Sequence, residues 1–117
     1  MNQTPKRIDW WEPSVGKEER DLLLKVLDSN FLNDGEGTTQ LEEELAHLLG
    51  CKHAVAVTSG TSVLFLALVA NNVGPGDEVI VPDITFIATA NAVVMAGAKR
   101  ILVDINPDSL NFVPKTI

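Results

Sequence analysis

Apolar residues recur every three or four positions in the first part of the chain and gather into short runs further on. Between Lys17 and Asp28, Leu22, Leu23, Val26 and Leu27 form one apolar stripe, while Glu18 and Glu19 suit the positive end of a helix. Lys17–Asp28 is therefore predicted to be an amphipathic helix. Ser29–Gly37 reads as a loop, with Asn33-Asp34-Gly35 as turn chemistry. Phe31 and Leu32 are unusually apolar for a loop and are expected to dock on another surface. A second helix is predicted to start at Thr39, whose spacing to Glu42 is that of a capping box, and to stop at Gly50.

From Ala54 onward the apolar runs are short and bounded by turn residues. Ala54–Val57 leads into a helix over Thr61–Asn71. Glu78–Val81 follows the turn Val73-Gly74-Pro75-Gly76-Asp77 and leads into a helix around Ile87–Ala96. Lys99–Val103 follows Gly97 and ends at Asp104. Strands alternating with helices are the signature of a mostly parallel sheet covered on both faces, so the fold class is α/β. Residues 1–16 read as an extended arm, interrupted by Pro5, Pro13 and Gly16. Its Trp10-Trp11 pair is expected to pack on the body or on a second subunit, with a stacking platform for a ligand as the sharper alternative.

In such sheets ligands bind beyond the carboxyl ends of the strands. Thr58–Ser62, Pro82–Phe86 and Asp104–Asp108 fall on that edge, whereas Lys52, His53 and Lys99 fall on the opposite one. Thr58-Ser59-Gly60-Thr61-Ser62 offers backbone N–H groups and hydroxyls at a helix start, where an anion is favoured. It is not a P-loop, because the Gly-x4-Gly-Lys spacing is missing, and it lacks the dinucleotide fingerprint Gly-x-Gly-x-x-Gly. Small hydroxyl residues in this position serve equally as a helix N-cap. Cap and phosphate cradle both remain open on these residues alone. Phe86 tips the balance, because a ring beside a phosphate cradle suits a phosphorylated aromatic cofactor. Pyridoxal 5′-phosphate fits that description, and flavin mononucleotide fits it less well.

Composition narrows the partners. The 117 residues suffice for one domain with a modest core, and 45% hydrophobic with 21% charged residues is ordinary for a globular protein. A net charge of −7 and no basic run argue against a nucleic-acid partner. The longest apolar run, Val63–Ala70, is too short to span a bilayer, and the polar residues after Met1 do not form a signal peptide. A cytoplasmic location follows as the expectation. Cys51, the single cysteine, reads as a half-buried thiol and excludes an internal disulfide or a cysteine-based zinc site. Glu42, Glu43 and Glu44 point in different directions on a helix and read as a solvated face, with no metal site; His47 reads as a surface or interface histidine.

Ser59-Gly60-Thr61-Ser62, Gly74 to Pro82, Thr85-Phe86-Ile87-Ala88-Thr89-Ala90-Asn91 and Val103-Asp104-Ile105-Asn106-Pro107 occur in this order. Together they resemble the N-terminal part of the DegT/DnrJ/StrS sugar aminotransferases, the perosamine synthetase type. The resemblance runs from about Ile8 to the end and takes in the arm, the Asn30–Gly35 loop and the Leu41–Leu45 helix segment. Leu41 departs from the family's usual Phe, and Glu36-Gly37 from its usual Gly-Pro.

The resemblance implies part of the large domain of a fold-type I, pyridoxal-phosphate-dependent transferase over residues 17–117, following the arm at 1–16. It also implies transfer of an amino group, usually from glutamate, to a nucleotide-linked keto-sugar. By the same match Gly60, Thr61 and Ser62 would hold the cofactor phosphate and Phe86 would stack on its ring. Thr85 and Asn91 would lie near the cofactor or sugar. Family members are homodimers, and the loop with Phe31 and Asn33 would line the partner's site. The Schiff-base lysine and the acid facing the pyridine nitrogen lie, in the family, beyond the last residue of this chain. No lysine present substitutes: Lys17 and Lys25 are on a surface helix, Lys52 and Lys99 on the wrong edge, Lys6 in the arm and Lys115 in the tail.

The chain is accordingly expected to be part of a longer fold, to be inactive in amino transfer by itself, and to self-associate or repack if stable. A non-catalytic phosphate- or cofactor-binding module that pairs with other subunits is the alternative. A dinucleotide-binding domain is weaker, for want of the glycine fingerprint. Some family members replace the lysine and catalyse dehydration, and these residues do not separate the two subclasses.

Overall fold

The computed structural model describes residues 8, 9 and 11–112, which divide into two compact units, Met1–Ala54 and Val55–Ile117. Trp10 and Lys115 lie outside the described residues. Trp11 is exposed.

The first unit contains α1 (Lys17–Asp28) and α2 (Glu36–Leu49). Helix α1 has the predicted bounds. Gly16 stands at its N-cap position without a side chain, and the Glu19 carboxylate reaches back to accept the Gly16 N–H at 2.7 Å. The expected apolar stripe is present but uncovered: Leu22 and Leu23 are 61% and 60% exposed, and α1 and α2 have no buried residue.

The predicted start of the second helix is corrected. Gly35 is the N-cap, and its carbonyl accepts the N–H groups of Thr38 and Thr39 at 3.0 and 3.2 Å. Thr39 is thus already inside α2 and cannot cap it; the Asn33-Asp34-Gly35 turn starts the helix three residues earlier. Gly50 ends it as predicted, at φ 66°, with the Cys51 N–H bonded to Ala46 O at 3.0 Å. Cys51 is exposed, not half-buried, and its thiol donates to His53 O at 3.3 Å. Phe31 and Leu32 are likewise exposed.

The second unit runs α3 (Gly60–Ala70), β1 (Glu78–Pro82), α4 (Ala88–Met95), β2 (Lys99–Val103). Strands β1 and β2 are parallel, in register from Glu78 opposite Lys99 to Pro82 opposite Val103. Parallel neighbours need a crossover, and α4 supplies it, packing on both strands, while α3 packs on α4. Val81, Val93 and Ala98 form the buried centre, with Leu68, Val73, Val79 and Ala90 packed against it. The turn into β2 requires Gly97, which sits at φ 80° and whose Cα faces Pro75 so closely that a Cβ would lie 3.1 Å from the proline ring.

Ala54–Val57, predicted to be a strand, is irregular. The only sheet among the described residues is two-stranded, and Ala54–Val57 has no place in its ladder. Strand propensity is local, but a strand exists only through hydrogen bonds to a neighbour distant in sequence.

Two outcomes follow. Val93→Ala, which removes two methyls from a residue 2% exposed, lowers unfolding free energy by about 2 kcal/mol in denaturant titrations. The Glu19 carboxyl is held below its ordinary range by its own backbone N–H and by that of Gly16. The stabilisation is complete above the unfolded carboxyl value of about 4.3 and is lost as pH falls through the lower folded value. In an NMR titration the Gly16 amide therefore shifts together with the Glu19 carboxyl, below that value.

Candidate functional site

Helix α3 starts where the backbone leaves an extended residue, Ser59 at φ −160° and ψ 154°. Its hydroxyl oxygen accepts the N–H of Ser62 at 3.2 Å and lies 3.0 Å from Ser62 Oγ. The Ser59 carbonyl takes the N–H of Val63 at 3.2 Å. Both possibilities left open at this turn therefore bear on different residues. Ser59 is the cap, while Gly60 and Thr61, the first two residues of α3, carry N–H groups that have no partner one turn back within the helix. These two donors and the hydroxyls of Thr61 and Ser62 are what the turn can offer an anion.

Gly60 adds a further observation. Its φ is not in the left-handed region, and a Cβ built on it meets nothing within 4 Å. Neither backbone strain nor crowding by the described residues calls for glycine there, although glycine weakens a helix relative to alanine. A glycine of this kind leaves room for a close approach from outside.

At the carboxyl end of the sheet, Asp83 N–H bonds to Val103 O at 2.9 Å, so the segments leaving β1 and β2 are joined. Pro82–Phe86 and Asp104 thus share one edge, whereas Thr58–Ser62, expected on that edge at the end of a strand over Ala54–Val57, follows no strand. Phe86 is 72% exposed, its ring free to cover a flat partner, and its carbonyl accepts Thr89 N–H at 3.0 Å. Thr85 Oγ1 lies 3.0 Å from Thr89 Oγ1, and Asn91 is exposed on α4 with its N–H on Ile87 O. Gly60, Thr61, Ser62, Thr85, Phe86 and Asn91 all belong to the second unit. Phe31 and Asn33 belong to the first, on the loop before α2, both exposed.

Sequence reasoning raised an N-cap at this turn without assigning it to a residue, and the structure assigns it to Ser59. The usable signal was the Ser59-x-x-Ser62 spacing, a serine three residues ahead of a residue whose N–H needs an acceptor. Lys99 is held at the amino end of β2 by Glu78, with Nζ 2.6 Å from the carboxylate, and Lys17 and Lys25 lie on α1. Among the described residues no group of three or more His, Cys, Asp or Glu side chains is placed to hold a metal ion. No described helix is long and apolar enough to cross a membrane.

Strands, crossover and helices together define a piece of an α/β fold with a parallel sheet. The chain belongs to the DegT/DnrJ/EryC1/StrS aminotransferase family, which it matches over residues 13–117. It is 46% identical over 102 residues to the spore coat polysaccharide biosynthesis protein SpsC of Bacillus subtilis (strain 168), covering 87% of this chain and 26% of that protein. Among solved structures it is similar to the aminotransferase from Psychrobacter cryohalolentis, with 40% identity, a TM-score of 0.73, and coverage of 80% of this chain and 24% of that one. The PLP form of the putative sugar aminotransferase Spr1654 from Streptococcus pneumoniae matches with 33% identity and a TM-score of 0.79, covering 88% of this chain and 26% of that one. The chain thus spans about a quarter of the length of these relatives.

The open space around Gly60 predicts that Gly60→Ala is tolerated without ligand. Thermal unfolding of that variant should show unchanged or higher stability, by up to about 0.5–1 kcal/mol; a marked loss would mean that the position is crowded.

Proposed function

We propose that this chain forms the phosphate-gripping part of a pyridoxal 5′-phosphate site in an aminotransferase acting on nucleotide-linked keto-sugars, with glutamate as amino donor. The observation that carries this is the start of α3, where Ser59 caps the helix, the next two N–H groups have no partner one turn back, and the space a Cβ on Gly60 would enter is open. Such a start fits a phosphate, because aligned unpaired donors and the helix dipole both favour an anion there. Gly60 and Thr61 bind it through backbone N–H groups, and Thr61 and Ser62 through their hydroxyls.

Phe86, exposed beyond the carboxyl end of β1, covers the cofactor ring. Thr85 and Asn91 serve the cofactor or the sugar, and Phe31 and Asn33 serve the substrate side of a site completed in a homodimer. When bound, the cofactor supplies an electron sink that makes amino transfer feasible. The residues of this chain bind and orient it, while the lysine that bonds the cofactor and moves the proton is not among the described residues. Lys99, the one lysine in the described sheet, is engaged by Glu78 at the other end of its strand. By itself the chain therefore binds without transferring amino groups. The sister reading, a non-catalytic cofactor-binding module, shares the binding step and differs in the activity of the assembled protein.

Titration of the chain with pyridoxal 5′-phosphate and with pyridoxal, followed by absorbance, tests the binding. The phosphorylated form should bind more tightly, and Gly60→Ala should weaken it about tenfold or more without weakening pyridoxal, because a Cβ then occupies the approach to the two N–H groups. Equal binding of the two compounds would overturn the proposal. In the same samples, glutamate and a keto-sugar nucleotide should yield no amino sugar; turnover would show that the chain carries its own lysine chemistry.

A further inference from the structure

We propose that Ser59 is a positioning residue that aims the Ser62 hydroxyl at the cofactor phosphate; this rests on the reading of the α3 start as a phosphate site. Two contacts join the pair: the Ser62 N–H donates to Ser59 Oγ at 3.2 Å, and the two Oγ atoms lie 3.0 Å apart. Backbone and side chain of Ser62 are thus tied to a single oxygen, which fixes the direction of its hydroxyl.

A serine hydroxyl has one proton and two acceptor sites. One acceptor site of Ser59 Oγ is taken by the Ser62 N–H, so the Oγ–Oγ contact has two proton arrangements. Either Ser62 donates to Ser59, which turns the Ser62 proton inward, or Ser59 donates to Ser62, which leaves the Ser62 proton to point outward. A phosphate dianion accepts and does not donate, so it selects the second arrangement. The result is a chain of donors, from Ser59 to Ser62 to phosphate.

Removal of Ser59 Oγ releases an alternative that the fold otherwise suppresses. A serine in a helix readily bonds back to a carbonyl one turn earlier, here that of Ser59. That turns its proton away from the helix start, where the anion sits.

The test uses the full chain with Ser59→Gly, Ser59→Thr, Ser62→Ala and the Ser59→Gly/Ser62→Ala double variant, titrated with pyridoxal 5′-phosphate and with pyridoxal. Glycine is nearly as acceptable as serine at an N-cap, so the helix survives the substitution, and thermal unfolding verifies this. Ser59→Gly should weaken the phosphorylated compound about five- to tenfold and leave pyridoxal unchanged, consistent with one charge-assisted hydrogen bond misplaced. Ser59→Thr should bind as the unaltered chain does, and Ser59→Gly should add no further loss once Ser62 is Ala. Normal phosphate-dependent binding by Ser59→Gly, with Ser62→Ala weakened, overturns the inference and leaves the phosphate site standing. An equal loss for both compounds also overturns it, since Ser59 would then be structural only. No preference for the phosphorylated compound in the unaltered chain overturns the phosphate reading and this inference with it.

Discussion

The parallel pairing of β1 with β2 is the constraint on which the second unit depends. Parallel neighbours cannot be joined by a tight turn, so the chain must leave one strand, cross over through α4 and return. That return is held at both ends of the ladder. At one end the Lys99 N–H bonds to Asp77 O at 2.9 Å, and at the other the Asp83 N–H bonds to Val103 O at 2.9 Å. Val81 on β1 meets Val93 on α4 and Ala98 just before β2, so the crossover and the buried centre are one feature. With the strands in this register, Asp83–Phe86 emerges beyond the carboxyl end of β1. Helix α3 is positioned by the same element, because it packs on α4.

This centre is small relative to the apolar surface around it. Helix α3 is apolar on all sides, a pattern that belongs to a helix buried all round, yet Val63, Leu64, Leu66 and Val69 keep 41–51% of their exposure. Parallel strands are ordinarily covered on both faces, and Leu102 remains 59% exposed. Deep packing therefore does little to hold the α3 start in shape. Local bonds do that instead: the cap from Ser59, the carbonyl of Ser59 on Val63, and the hydroxyl contact with Ser62. A site held in this way is preorganised by hydrogen bonds that single substitutions can remove.

Where the sequence pattern was strong and local, it was read with near residue accuracy. Helix α1 and strand β2 have the predicted bounds, β1 differs by one residue at its end, and α3 by one residue at each end. Ala54–Val57 shows the limit. Its residues favour a strand, but the ladder that makes one is a property of distant neighbours. Thr39 shows a different limit, two competing start signals for one helix, of which the nearer turn at Asn33–Gly35 won. At the candidate site, Gly60, Thr61 and Ser62 were legible as small residues between an apolar run and the apolar body of a helix. Ser59 was not, because the same residue type serves as cap or as ligand donor and only its bond to the Ser62 N–H decides. Phe86 was legible by position, and its exposure is what the structure adds.

The charge pattern explains why this cap matters so much. The chain carries a net charge of −7, yet residues 54–76 contain no charged side chain at all. An anion at the α3 start thus meets neither a lysine nor an arginine from that run, and no carboxylate either. What this run can offer it is neutral donors, whose attraction falls off quickly when they are misaimed, whereas a cation tolerates misalignment. Donors of that kind depend on the direction of each N–H and O–H. On the proposed reading, that dependence makes the orientation of Ser62, and the oxygen of Ser59 bonded to it at 3.0 Å, a matter of affinity as well as of helix stability.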